Sequence, residues 1–261
     1  WNGAVGSSIR HMDYFKELRK NGIDGLTNMA PSGNTLRSGA LAGLLCIPYT
    51  AAFYNTVIPA LFDEKKIQEN LKKVTEAAKL GKRYGVPAHS LGDENYVSAF
   101  KEEGRFWNDP KFWSTFCDYL KQTYGTLEKL NLSWKKSYGA WGEIRFSSEA
   151  EFFSQECPAA WVDYRCFISK IFIQRQRELR DAIRKIDSET YIGWEGGEQY
   201  SSYDGYDLYE YVSEFDMSNV YARSFTTKML PGKMFNGYCL RSFAPEKALT
   251  GFWMNGIDYP M

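Results

Sequence analysis

Histidine is scarce in this chain: His11 and His89 are the only two in 261 residues. That argues against a His-rich metal hydrolase site, although carboxylates can also bind metals. The five cysteines (Cys46, Cys117, Cys157, Cys166, Cys239) are odd in number and widely spaced, and none forms a Cys-x-x-Cys pair. This points away from a disulfide framework and from a zinc site. No apolar run reaches the roughly 18 residues that a membrane span needs, and no signal peptide is visible. Thirty-two basic residues balance thirty-two acidic ones, so charge gives no case for a nucleic-acid or membrane-surface partner. Internal repeats, low-complexity tracts and clear linkers are also missing. The chain starts at Trp1 rather than Met and reads as a piece of a longer protein whose compartment is not legible.

Hydrophobic residues make up 44% and charged residues 25%, ordinary values for a globular protein. Aromatics are abundant at 16%, with eight Trp and eighteen Tyr. They supply a large core, and aromatic faces also serve as platforms for pyranose rings. The length suits a single α/β barrel of roughly 250 residues.

Strand-like and helix-like stretches alternate, which predicts a mostly parallel sheet or barrel. Six strands are expected, at 23–29, 42–50, 86–91, 190–194, 216–222 and 249–255. An eight-stranded barrel needs two more, so the expectation is one barrel domain over 1–261, truncated at both ends. A helix with Ile67, Leu71, Val74 and Ala78 on one face precedes the third strand. A long aromatic-rich excursion, 96–157, is expected to build the rim of a site. Within it, Asp109-Pro110 opens a helix, and Trp107 is a candidate cap over the cleft. Pro158 opens the longest helix, about 158–186, with Trp161, Tyr164, Ile168, Ile171, Leu179 and Ile183 as its buried stripe. Its arginines (Arg175, Arg177, Arg180, Arg184) interleave with acids and read as a solvated face.

Residues 89–95, His-Ser-Leu-Gly-Asp-Glu-Asn, put Asp93 and Glu94 at the end of the third strand. The C-terminal strand ends are where α/β barrels do chemistry. A Glu there can protonate a leaving oxygen, as glycoside hydrolysis requires. Further on stand Tyr124-Gly-Thr-Leu-Glu-Lys-Leu-Asn-Leu-Ser-Trp134 and Tyr138-Gly-Ala-Trp141-Gly-Glu-Ile144. These tracts, in this order, resemble the glycoside hydrolase family 42 β-galactosidases, most of all a divergent branch with Leu-Gly-Asp-Glu in place of the usual Asp-Asn-Glu. The resemblance runs from about Tyr84 to about Phe243.

The resemblance implies a (β/α)8 TIM-type barrel that cleaves a β-linked sugar, with Glu94 as general acid/base at the end of the barrel's fourth strand. It implies a sugar-hydroxyl contact at Asp93, where the family has Asn. Asn219 with Tyr221 is similar to the Asn-Tyr pair after the family's sixth strand. The family's nucleophile is a Glu ending the seventh strand, but Leu249–Asn255 holds none. The candidates for the second carboxyl are then Glu195, Glu198 and Asp258. Glu195 is favoured because it directly follows the apolar strand residues. Trp194, Tyr221 and Trp253, as strand-end aromatics, are candidate sugar contacts. No cofactor and no metal is expected; the cysteine zinc cluster of some family members has no counterpart here. The expected partner is a carbohydrate substrate, with any homo-oligomer formed through regions outside the chain. Two other readings stay open: a non-catalytic carbohydrate-binding barrel, and a structural segment of a multidomain protein.

Overall fold

The computed structural model describes residues 10–51, 56–93, 95, 97–98, 107–195, 205–222, 230–246 and 249–254. Its long strands are β1 (Gly25–Met29), β2 (Leu45–Pro48), β4 (Ala88–Asp93), β6 (Tyr191–Glu195), β7 (Met217–Ala222) and β8 (Leu249–Met254); β3 (Thr56–Val57) and β5 (Val97–Ser98) are two-residue pieces. The six long strands fall where the alternation of the sequence puts them.

Every strand pairing among the described residues is parallel. β1 pairs with β2, β4 with β6, β6 with β7, and β7 with β8. Tyr49 bridges to Ser90, and the Thr50 and Ala51 amides donate to the Ser90 carbonyl at 2.9 and 3.2 Å, which carries the order from β2 to β4. The result is one parallel run in chain order, as successive strand–helix–strand crossovers produce. Among the described residues no pairing joins β8 back to β1. β3 pairs separately with β5, joining the chain after β2 to the chain after β4.

Helix α1 (Arg10–Lys20) precedes β1, and α2 (Gly33–Leu41), capped by Ser32, lies between β1 and β2. α3 (Glu64–Tyr84) starts at the Asp63 cap, whose carboxylate accepts from the Lys66 amide, and stops at Gly85 in a left-handed conformation. Such a cap satisfies backbone groups that the helix end leaves free. α4 (Pro110–Tyr124), α5 (Leu127–Trp134) and α6 (Glu149–Phe153) form the excursion. α7 (Ala159–Arg184) crosses back to β6, α8 (Leu208–Ser213) leads to β7, and α9 (Leu230–Phe243) leads to β8.

The core divides in two. Phe15, Leu26, Met29, Leu36, Leu44, Cys46 and Val86 pack α1 and α2 against β1 and β2. A larger cluster joins the excursion and α7 to β4 and β6. In it Phe112, Trp113, Phe116, Phe152 and Tyr164 stack or meet edge to face at 4.5–6.5 Å. Two expectations change here. Trp107 is 5% exposed, with Phe112, Phe152 and Tyr164 rings within 6 Å, so it is a core residue and not a cap. The arginines of α7 do pair with the interleaved acids, Arg175 with Glu178 and Arg180 with Asp181, but their face is only partly exposed: Arg175 also donates to Leu61 O, and Arg177 and Arg180 bind Glu214. Arg184 reaches Asp216 and the Ser188 carbonyl. Their long stems cover apolar surface while the guanidinium groups tie loops to the helix.

Candidate active site

The site follows from strand alternation. In a parallel pair, partners in register present their side chains on the same face, and the face switches at each residue. Ser90 is the partner of Gly193, yet Asp93 is the partner of Glu195, so β4 spends three residues where β6 spends two. This bulge sits at Gly92, whose φ of 122° suits glycine. A methyl group there would stand 2.9 Å from Asn95 Oδ1 and 3.1 Å from the Ala51 carbonyl oxygen. The bulge rephases β4 and brings Asp93 level with Glu195. Bulges next to active sites commonly re-aim a side chain in this way.

The same phase continues across the sheet. Gly193 pairs with Met217, two residues before Asn219; Asn219 pairs with Gly251, and Tyr221 with Trp253. Positions 93, 195, 219, 221 and 253 therefore fall on one alternation at the C-terminal ends of four strands. The backbone register of Tyr221 and Trp253 is described; their side chains are not. Glu94, Glu198 and Asp258 lie outside the described residues. Trp194 is out of phase with this set. It is 2% exposed and packs 5.5 Å from the Tyr211 ring, on the core side of β6. The strand-end aromatic expected to meet sugar at this position is a core residue, because alternation turns it toward α8.

Asp93 is 8% exposed and Glu195 only 1%. Burial drives the Glu195 carboxyl up to about 8, and the nearby Asp93 charge pushes the same way. Taking a carboxylate out of water favours its neutral form, and a like charge adds to the effect. The side chains of Ser90 and Thr27 approach the carboxyl and oppose the rise. Glu195 Oε1 has no hydrogen-bond partner among the described residues. At neutral pH Glu195 is therefore a protonated acid beside Asp93.

His89 is not part of this face. It is fully buried, its Nδ1 lies 2.7 Å from Thr50 Oγ1, and burial depresses its pKa to about 4, so the ring is neutral. Among the described residues no group of three or more His, Cys, Asp or Glu could hold a metal ion, and no helix is long and apolar enough to cross a membrane.

The sequence pattern of the beta-galactosidases of glycoside hydrolase family 42 matches residues 66–233, which is 168 of the 261 residues and includes β4, the excursion, β6 and β7. The chain belongs to glycoside hydrolase family 42. The solved structures agree on the fold of this family 42 chain. The beta-galactosidase from the psychrophilic Marinomonas ef1 superposes with a TM-score of 0.68 at 14% identity, over 95% of this chain and 46% of that one. The beta-galactosidase from Bacillus circulans sp. alkalophilus gives 0.70 at 13% identity, over 91% of this chain and 41% of that one. The catalytic domain of the beta-amylase from Paenibacillus polymyxa gives 0.63 at 14% identity, over 96% and 83%. The chain thus spans less than half the length of these beta-galactosidases. No curated protein matches it in sequence.

Three features of the site went unread in the sequence: the Asp93–Glu195 partnership, the polar neighbours Ser90 and Thr27, and the buried Asn95 directly after Glu94. The signal for the first was Gly92 inside an otherwise alternating strand, a common mark of a bulge.

Proposed function

We propose that the chain is the barrel part of a β-galactosidase-like glycoside hydrolase. Its six long strands supply the second to seventh strands of a (β/α)8 barrel, Glu94 is the general acid/base, and Glu195 is the second carboxyl. The observation that carries this reading is the register of Asp93 with Glu195 at the ends of adjacent parallel strands, in a chain of family 42. Glu94 follows Asp93 directly, so this arrangement supports two carboxyl-bearing strand ends at one mouth. Glycoside hydrolysis needs two carboxyl groups about 5–10 Å apart, the separation setting the stereochemical outcome. Asn219, Tyr221 and Trp253, on the same alternation, are the proposed sugar contacts, with Asp93 accepting from a sugar hydroxyl.

The test is hydrolysis of aryl β-D-galactosides by the full-length protein. Glu94→Gln should cut turnover of substrates with poor leaving groups by about 10²–10⁴-fold, because proton donation is worth that much. Substrates with very acidic leaving groups should be spared at the glycosylation step. Equal turnover of both substrate classes by the variant would exclude the acid role.

One observation favours a second reading. A buried, protonated Glu195 is a hydrogen-bonding group, and a nucleophile must be ionised. In a carbohydrate-binding barrel without catalysis, Glu195 would contact a sugar hydroxyl as a neutral acid. Galactose binding at neutral pH with no turnover at any pH would establish this second reading over the first.

A further inference from the structure

The long helix α7 carries three polar residues in its buried stripe, Arg165, Ser169 and Gln176, and the first two lie near its N-terminal end. Arg165 is 7% exposed and Ser169, one turn on, is buried as well. The Arg165 guanidinium lies over the Trp161 and Tyr164 rings at 5.8 and 5.9 Å. Its Nη2 donates to the Val97 carbonyl at 3.0 Å and to the Gly205 carbonyl at 2.6 Å. Ser169 Oγ accepts from the Asp207 amide at 2.8 Å. Val97 stands three residues after Glu94, and Gly205 ten residues after Glu195. One side chain thus holds the chain leaving β4 and the chain leaving β6 at once, and Ser169 fixes the second of these two residues further along.

We propose that Arg165, assisted by Ser169, is a positioning residue that sets the exits of the two carboxyl-bearing strands relative to each other. This rests on the glycosidase reading above. The physical ground is the cost of the arrangement. Burying a guanidinium forfeits hydration, which a packed apolar side chain would not do. Both bonds leave Nη2, whose two N–H groups point in directions fixed by the guanidinium plane, whereas a lysine ammonium turns its donors on a flexible stem. The carbonyls concerned belong to the two segments that follow the proposed acid/base and its partner. The chain after β2 joins the same assembly, since Thr56–Val57 pairs with Val97–Ser98. Arg165 touches neither substrate nor reacting atoms in this account; it acts through the backbone that carries them.

The experiment compares wild type, Arg165→Lys, Arg165→Ala and Ser169→Ala in the full-length protein. A positioning role predicts that Arg165→Lys, which keeps charge and bulk, loses about 10²-fold in kcat with KM changed little, as misplacement by about an ångström does. Added guanidinium should restore part of the kcat of Arg165→Ala, while ammonium should not. Hydrogen exchange in Arg165→Lys should rise at residues 97–98 and 205–208 together, with residues 10–51 unchanged. This last readout needs no activity, so an inactive wild type would defeat the glycosidase reading while leaving the coupling measurable. A variant with lowered Tm but unchanged kcat per folded molecule, or exchange rising at only one of the two segments, would overturn the proposal. Should Arg165→Ala fail to fold, Arg165→Lys and Ser169→Ala carry the test through kcat and exchange.

Discussion

Thr27 and Glu195 lie on strands with two others between them in the sheet, yet the side chain of one approaches the carboxyl of the other. A flat sheet would hold these strands about 14 Å apart, at about 4.8 Å per strand. The approach therefore requires the sheet to curl, with Thr27 and Glu195 both on its concave side. Parallel strands twist in one hand, and their accumulated rotation produces this curvature. The curl is also what encloses Glu195 and removes it from water.

That enclosure gives the first prediction. Glu195 has a folded pKa of about 8 against an ordinary 4.5. Between these values the native state keeps a proton that the unfolded state releases. Stability from this group is complete below pH 4.5 and is lost as pH rises toward 8, by about 1.4 kcal/mol per unit at most. Glu195→Gln removes the ionisation and keeps the shape. Urea unfolding at pH 5 and pH 8 should show a smaller alkaline loss for the variant, and parallel losses in the two proteins would refute the assignment.

The second prediction is kinetic. If Glu195 is the nucleophile it must first shed its proton. Hydrolysis of aryl galactosides with strongly acidic leaving groups should then climb as pH passes through about 8. A rate that is flat from pH 6 to 9 would remove Glu195 from the nucleophile role.

Gly92 supplies the third. Gly92→Ala places a side chain at φ 122°, 2.9 Å from Asn95 Oδ1 and 3.1 Å from a backbone oxygen. Strain of this kind costs about 1–3 kcal/mol. It acts at the bulge that aligns Asp93 with Glu195, so activity should fall further than stability does. Wild-type activity and an unchanged urea midpoint would show that the bulge has no such role.

The fourth concerns Glu214, which Arg177 and then Arg180 hold down to about 2 against the opposing effect of burial. Its contribution to stability is present above pH 4.5 and is lost as pH falls toward 2. The pair is partly exposed, so Glu214→Gln should cost only about 1–2 kcal/mol at pH 7. The difference from wild type should shrink to nothing in acid, and a difference that persists at pH 2.5 would contradict the pairing.

The strands were legible because each buries an apolar face and is flanked by turn residues; Tyr191–Glu195 and Met217–Ala222 fall within a residue or two of expectation. The long helix was legible from its apolar stripe, and Ala159–Arg184 matches it. What alternation could not give was phase. It named Trp194 and Glu195 as neighbours at a strand end, but only the register with β4 and β7 tells which of them faces the concave side. Long-range hydrogen bonds were equally hidden. Arg165 looked like one more charge on a charged helix, although it sits four residues after Trp161 and three before Ile168, inside the buried stripe. A guanidinium in that phase was the readable signal. For the arginines nearer the helix end the sequence showed only the neighbouring acids, Glu178 and Asp181, because their further partners, Leu61 O and Glu214, are far away in sequence.

Helix α7 is fastened at both ends: Arg165 and Ser169 hold the segments after the strands, and Arg184 holds residues before β6 and β7. An inserted or deleted residue in its middle would turn one end against the other by about 100° and shift it by about 1.5 Å. Both sets of fastenings could not then survive. The length of this helix between residues 165 and 184 is consequently a ruler. Changes of length are tolerated before residue 165 or beyond residue 184, but not between them.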